Sequence, residues 1–123
     1  MIEEPIRAMD AAVPGPVLLT LIAPASLGES VADLLLEAPE LVSGFTSSAA
    51  AGHGARLHFD AASERVRGRG RRTRFELVLD REGAVALLAR LRATLGEANI
   101  YYWICPMLEC GNLGEQTSSE VKR

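Results

Sequence analysis

Four apolar segments and two segments of helical periodicity alternate along the chain. Residues 17–23 (VLLTLIA) show almost no alternation of apolar and polar positions and end at Pro24, a pattern typical of a strand buried on both faces. Further strands are predicted at 41–48 and 73–79. The fourth predicted strand, 99–108 (NIYYWICPML), is again strongly apolar.

The first predicted helix begins at Ser26 and ends near Glu37, before Pro39. Ser26 and Glu29 match a capping box, in which the hydroxyl and the carboxylate each bind a backbone N–H that lacks a helical partner. Apolar residues recur at the spacing of one helix face. These are Leu27, Val31, Leu34 and Leu35.

The second predicted helix is capped by Asp80 and runs to about Leu95, with Gly96 in the position of a C′ glycine. Its apolar face comprises Ala84, Leu88, Leu91 and Leu95. The element order is therefore β-α-β-β-α-β. Right-handed crossovers close this order into an α+β, ferredoxin-like fold, with a four-stranded antiparallel sheet and both helices on one face.

The lack of alternation in the first and fourth strands predicts a homo-oligomer. An antiparallel sheet with one face in water should alternate apolar and polar residues. The fourth strand instead places Tyr101, Trp103 and Cys105 opposite another apolar set. Two helices cover only one face, so we expect a second copy of the chain to cover the other. The alternative is that residues 1–16 fold back over the sheet.

Composition limits the classes of partner. The formal net charge is −3, which gives no global reason for binding nucleic acid or an anionic membrane. The start of the chain is acidic and lacks the apolar core of a signal peptide, and no apolar run is long enough to insert into a membrane. We therefore expect a cytoplasmic protein with free thiols. The predicted organisation is a flexible extension at 1–16, one domain at 17–110 and a polar tail at 111–123.

One segment of this acidic chain is strongly basic. Six arginines lie between positions 65 and 74, at the end of a predicted loop that covers 49–71. Guanidinium groups bind phosphate or carboxylate, and glycines allow the backbone to approach an anion. The candidate residues for a ligand or a partner are Arg67, Arg69, Arg71 and Arg72, with Gly52 and Gly54. The alternative is a solvated loop. Nucleic acid is not favoured, because the cluster has no interleaved aromatic residues.

The candidate metal ligands are His53, His58, Cys105, Cys110 and Glu109. Imidazole and thiolate groups suit zinc or copper. The C-x₄-C spacing is not that of a common zinc motif, so ordinary loop histidines and incidental cysteines are the alternative. The sequence contains no phosphate-binding loop and no convincing catalytic set. We expect no enzymatic activity and name no catalytic residue.

Several stretches resemble a bacterial family of PII-like proteins whose genes often lie beside those of heavy-metal efflux pumps of the resistance-nodulation-division type. They are VADLLLEAPELVSGFTSS (31–48), GHGARL (52–57), SERVRGRGRRTRFELVL (63–79) and YYWICPMLECGNL (101–113). The resemblance covers about 17–114. It implies the ferredoxin-like trimer of the superfamily that includes the nitrogen regulator PII and the metal-tolerance protein CutA.

The resemblance also implies a function. In PII proteins a long T-loop, here 49–71, contacts partner proteins, and adenine nucleotides bind between subunits. Two features depart from PII. Residues 95–99, in the place of the phosphate-binding loop, contain no basic residue, and 49–71 contain no tyrosine for modification. The favoured hypothesis is a regulatory trimer that senses a small ligand or a metal and docks an efflux pump or its regulator. The alternatives are a CutA-like protein that binds a divalent metal, and either a purely structural oligomer or an enzyme whose site forms between subunits.

Overall fold

The computed structural model describes residues 15–54 and 69–115. Its strands are β1 Pro16–Pro24, β2 Thr46–His53, β3 Arg69–Asp80 and β4 Tyr101–Pro106. A 3₁₀ turn at Ala25–Leu27 leads into helix α1, Gly28–Leu36, and helix α2 spans Arg81–Leu95. The predicted α+β, ferredoxin-like class is confirmed. No helix in these residues is long and apolar enough to cross a membrane.

The four strands form one antiparallel sheet in the order β2-β3-β1-β4. Strand β1 lies between β3 and β4, and Leu19 is in register with Leu77 and with Ile104. Beyond β4, the Met107 amide donates to the Pro16 carbonyl over 3.1 Å, which ties the end of β4 to the start of β1.

The core lies between the sheet and the two helices. Alternate residues of β1 (Val17, Leu19, Leu21 and Ala23) are buried there. They pack with Phe75, Leu77 and Leu79 of β3 and with the inner faces of α1 and α2. Phe45 joins them from the turn before β2, with its ring 6.0 Å from that of Phe75. The predicted helix faces are confirmed, since Val31 and Leu35 of α1 and Ala84, Leu88 and Leu91 of α2 are buried.

The predicted capping box at the start of α1 is wrong. Ser26 lies in the 3₁₀ turn, and Leu27 occupies the N-cap position without a side-chain hydrogen bond. The chain leaves β1 through Pro24, and the tight turn holds Ser26 one residue too early to cap. Gly28 begins the helix against β3, where a Cβ atom would lie 3.0 Å from the Thr73 hydroxyl oxygen.

The predicted cap of α2 is confirmed. Asp80 has extended backbone geometry, and its Oδ1 accepts from the Gly83 amide over 2.6 Å. The role given to Gly96 is wrong, because its φ of −64° is right-handed rather than left-handed. Glycine is needed there for space, since a Cβ atom would collide with the carbonyl oxygen of Arg92.

The second strand lies further along the chain than predicted. Leu41 and Val42 are in a turn closed by hydrogen bonds to the Ala38 carbonyl, and β2 begins only at Thr46. Strands β2 and β3 then continue into the segment predicted as a loop, so that 49–53 and 69–71 are paired strand. An ion pair between Arg90 of α2 and Glu40 joins the turn to the second helix.

Candidate functional site

The most distinctive surface is the side of the sheet that carries no helix, which we call the open face. Alongside Glu76 and Arg74 of β3, register places six large or branched side chains on this face, all but one of them apolar. They are Leu18, Thr20, Ile22, Val78, Tyr101 and Trp103. Tyr101 and Trp103 keep 39% and 46% of their surface exposed. The structure thus places an apolar sheet face where the sequence predicted one.

Exposed apolar side chains occur on the open face and in the segment that follows β4. Six large hydrophobic residues are exposed in the described part of the chain. Tyr101 and Trp103 lie on the open face, and Leu108 and Leu113 lie in the segment after β4. Only Leu36 and Val85 are on the helices. An exposed apolar sheet face of this kind is typical of an interaction site.

A buried hydroxyl lies at the centre of the open face. Thr20 is 1% exposed, and its Oγ1 has no hydrogen-bond partner in the ranges described. Register places Glu76 on one side of Thr20 and Trp103 on the other. Sequence analysis did not select Thr20 or Glu76, because a single threonine in an apolar strand carries no recognisable signal.

The basic cluster divides between the two sides of the sheet. Arg72 and Arg74 belong to the open face, in register with Pro24 and Ile22 of β1, whereas Arg71 is on the helix side. Arg74 and Arg71 are exposed, and Arg72 is buried, with its Nη1 3.5 Å from the Arg71 carbonyl oxygen. We call the paired residues 49–53 and 69–73 the β2–β3 ribbon. The two guanidinium groups therefore lie at the end of the open face where this ribbon begins.

On its β2 side, 49–52, the ribbon consists of alanine and glycine residues. Gly52 pairs with Gly70, and His53 is exposed and in register with Arg69. Gly54 has a φ of 137°, a conformation that favours glycine. Of the other predicted site residues, Arg67 and His58 lie outside the described residues.

Of the predicted metal ligands that the structure describes, His53 lies far from Cys105. His53 is on the edge strand β2 and Cys105 on the opposite edge strand β4, about 14 Å apart across the sheet and, by register, about nine residues or ~30 Å apart along it. Cys105, Cys110 and Glu109 are exposed. No group of three or more potential metal ligands occurs among the residues described.

A depression of about 630 Å³ lies at the edge of the open face, near the start of β2. Its walls come from Phe45 and Thr46, from Glu76 and Val78 of β3, and from Gly111 after β4. Because its lining mixes a carboxylate, a hydroxyl and apolar groups, it suits a protein side chain as well as a small molecule.

The turn before β4 contains residues 95–99, which the sequence resemblance equates with the PII phosphate-binding loop. The Ala98 amide donates to the Leu95 carbonyl over 2.9 Å, which makes the connection short. Arg92 is the basic group close to it that sequence analysis missed. Its guanidinium lies 5.6 Å from the centre of the Tyr102 ring and donates to the Tyr102 hydroxyl over 3.1 Å, so it is already engaged.

Comparison with known proteins assigns the family. A family model described as "Protein of unknown function (DUF3240)" matches residues 14–114. The chain belongs to the DUF3240 family. A crystal structure of a DUF3240 family protein from Shewanella baltica is 27% identical in sequence, with a TM-score of 0.66, and the match covers 82% of this chain and 99% of that one. A search of curated proteins found no significant match.

Two further solved structures share the fold of this DUF3240 chain. A PII-like signaling protein from Thermus thermophilus is 20% identical, with a TM-score of 0.51, over 72% of this chain and 84% of that chain. A nitrogen regulatory PII-like protein from Thiomonas intermedia, bound to ADP, AMP and bicarbonate, is 18% identical, with a TM-score of 0.55, over 73% and 88%. The PII-like fold expected from the sequence is confirmed, whereas the efflux-pump and CutA links remain predictions.

Proposed function

We propose that this DUF3240 protein is a PII-like regulatory oligomer whose copies bury their open faces against one another and bind a small anionic ligand near the β2–β3 ribbon. The observation that carries the proposal is the apolar open face, with Tyr101 and Trp103 part-exposed and Thr20 buried at its centre. Membership of a family with the PII fold supports the same arrangement.

The open face offers apolar area that association would bury. The exposed parts of Tyr101 and Trp103 together amount to roughly 200 Å². Burial at about 25 cal/mol per Å² would contribute about 5 kcal/mol per copy from these two side chains. We propose a trimer, following the resemblance to PII. Head-to-tail contacts between unlike parts of the face would form such a ring where the rotation between copies closes.

The ligand would bind where the exposed Arg74, beside the buried Arg72, meets the boundary between copies. Both belong to the open face at its ribbon end, so a neighbouring copy would border the same site. Guanidinium groups favour phosphate and carboxylate. An adenine nucleotide is the first candidate, supported by the fold shared with the Thiomonas intermedia protein. The ligand would reach the ribbon rather than residues 95–99, which have no basic group.

The partner would dock through the segment 49–71, whose described ends form the ribbon. Ligand bound beside Arg74 would bias the ribbon's conformation and so control docking. A heavy-metal efflux pump or its regulator is the partner that the sequence resemblance implies, and cytoplasmic location is part of the same proposal. We propose no catalytic residue.

Metal binding is the alternative carried over from the sequence. It would use His53 and His58 of one copy, or Cys105, Cys110 and Glu109, with ligands contributed by several copies. The same experiment tests both functions.

The experiment is native mass spectrometry of the metal-free full-length protein, repeated with ADP, ATP, bicarbonate, zinc and copper. We expect a trimer that binds nucleotide and loses it in Arg74→Gln. The matched control is Arg90→Gln, which removes the same charge from the helix side. A single-chain mass at micromolar concentration would overturn the oligomer. Uptake of metal but not nucleotide, abolished by His53→Ala, would replace the nucleotide sensor with the metal-binding function.

A further inference from the structure

The segment after β4, residues 107–115, forms an ordered arm. The Met107 amide donates to the Pro16 carbonyl over 3.1 Å, which fixes its start. At its end, the Glu115 amide donates to the Asn112 carbonyl over 2.9 Å and the Gly114 amide to the Asn112 Oδ1 over 2.7 Å. Two hydrogen bonds thus close a tight turn, with Leu113 in its first central position.

This turn presents an apolar side chain to solvent. Leu113 is 107% exposed and Leu108, earlier in the arm, is 105% exposed, so neither packs on its own chain. A leucine held on a closed turn has already lost much of the backbone freedom that binding would otherwise remove. The arm is therefore a preorganised apolar projection beside an apolar sheet face.

The arm does not cover the open face of its own copy. Gly111 and Asn112 line the depression near Leu18 and Val78, at one end of that face. Tyr101 is in register with Ile22, four residues along β1 from Leu18, or about 13 Å away. Leu113 is fully exposed and Tyr101 and Trp103 remain part-exposed, so neither the projection nor the apolar surface is covered by residues 15–54 or 69–115 of the same copy.

We propose that the arm is a clasp between subunits, in which Leu113 of one copy packs on the open face of the next copy. The inference rests on the proposed function, because it requires the open faces to assemble. Each copy carries one projection and one receiving surface, which is the arrangement of a head-to-tail contact that closes into a ring. A second copy is the occupant favoured here, because Leu113 and the surface of Tyr101 and Trp103 are both apolar and both exposed, so one copy supplies what the next leaves uncovered.

Photocrosslinking with p-benzoylphenylalanine in place of Leu113 tests this directly. Mixing unlabelled and ¹⁵N-labelled copies before assembly makes crosslinks between copies distinguishable by mass from those within a copy. We expect crosslinks between copies, to peptides that contain residues 17–24 or 101–106. Crosslinks only within a copy, or none in an assembled sample, would overturn the clasp.

A substitution gives the second readout. Leu113→Asp should raise the dissociation concentration by about tenfold or more, because a charge replaces an apolar contact at each interface. The matched control is Leu36→Asp, an exposed leucine at the end of α1, which should associate as the wild type does. If Leu113→Asp associates as strongly as the wild type, the clasp is overturned but the proposed oligomer is not. A monomeric wild type would overturn both.

Discussion

Replacing Trp103 with alanine should weaken self-association far more than it perturbs the isolated fold. Trp103 lies on the edge strand β4 and keeps 46% of its surface exposed. For a side chain of about 250 Å², this leaves roughly 100 Å² for a second copy to bury. At about 25 cal/mol per Å², the loss is ~2.5 kcal/mol per contact. We expect the dissociation constant to rise between about tenfold and a hundredfold.

The assay is sedimentation velocity across a dilution series, with thermal unfolding measured in parallel to confirm that each variant is folded. Leu36→Ala is the matched control, because Leu36 is 68% exposed but lies on α1, on the other side of the sheet. Its dissociation constant should equal that of the wild type. If Trp103→Ala associates within about twofold of the wild type, the assignment of the open face as the interface is refuted.

Three further predictions concern the fold that positions this face. Asp80→Ala should lower the free energy of unfolding by about 1 kcal/mol in urea titrations, and Asp80→Asn by much less, because either polar side chain can cap α2. Gly96→Ala should lower the thermal midpoint, because its methyl group would collide with the Arg92 carbonyl; Gly111→Ala, where nothing lies within 4 Å, should leave it unchanged. The pKa of Glu40 is lowered from its ordinary value, first by a hydrogen bond from the backbone amide of Glu40 itself and secondarily by the ion pair with α2. The resulting stabilisation is fully present above about pH 4.3 and is lost at lower pH. From pH 6 to pH 3, the free energy of unfolding should therefore fall less steeply for Glu40→Gln than for the wild type.

The architecture was predictable because the strongest sequence patterns are those that bury the most surface. The run 17–23 is apolar on both sides, and the structure places it between two neighbouring strands at the centre of the sheet. Asp80 precedes a clear helical stripe, and it caps that helix. These features are local and were found from the sequence alone.

The second strand was misplaced for a physical reason. Leu41 and Val42 are apolar, but they reach the core from a turn rather than from a strand. The true strand, Thr46–His53, is made of small and polar residues whose extended form depends on pairing with β3. Such tertiary dependence is invisible in a local pattern.

The candidate site was only partly predictable. Sequence analysis found the arginines and the exposed aromatic residues, but not which arginines share a sheet face with Trp103. That depends on register, which places Arg72 and Arg74 on the open face and Arg71 on the other side. Thr20 matters because it is buried and Leu113 because it is exposed, and neither property can be read from the residue type.

The fluorescence of Trp103 tests the central claim most directly, because it is the only tryptophan in the chain and lies on the open face. Acrylamide quenching of the wild-type protein would be measured across a dilution series. The account predicts strong protection at high concentration and a rise in quenching as the oligomer dissociates. Quenching that is high and independent of concentration would contradict burial of the open face between copies.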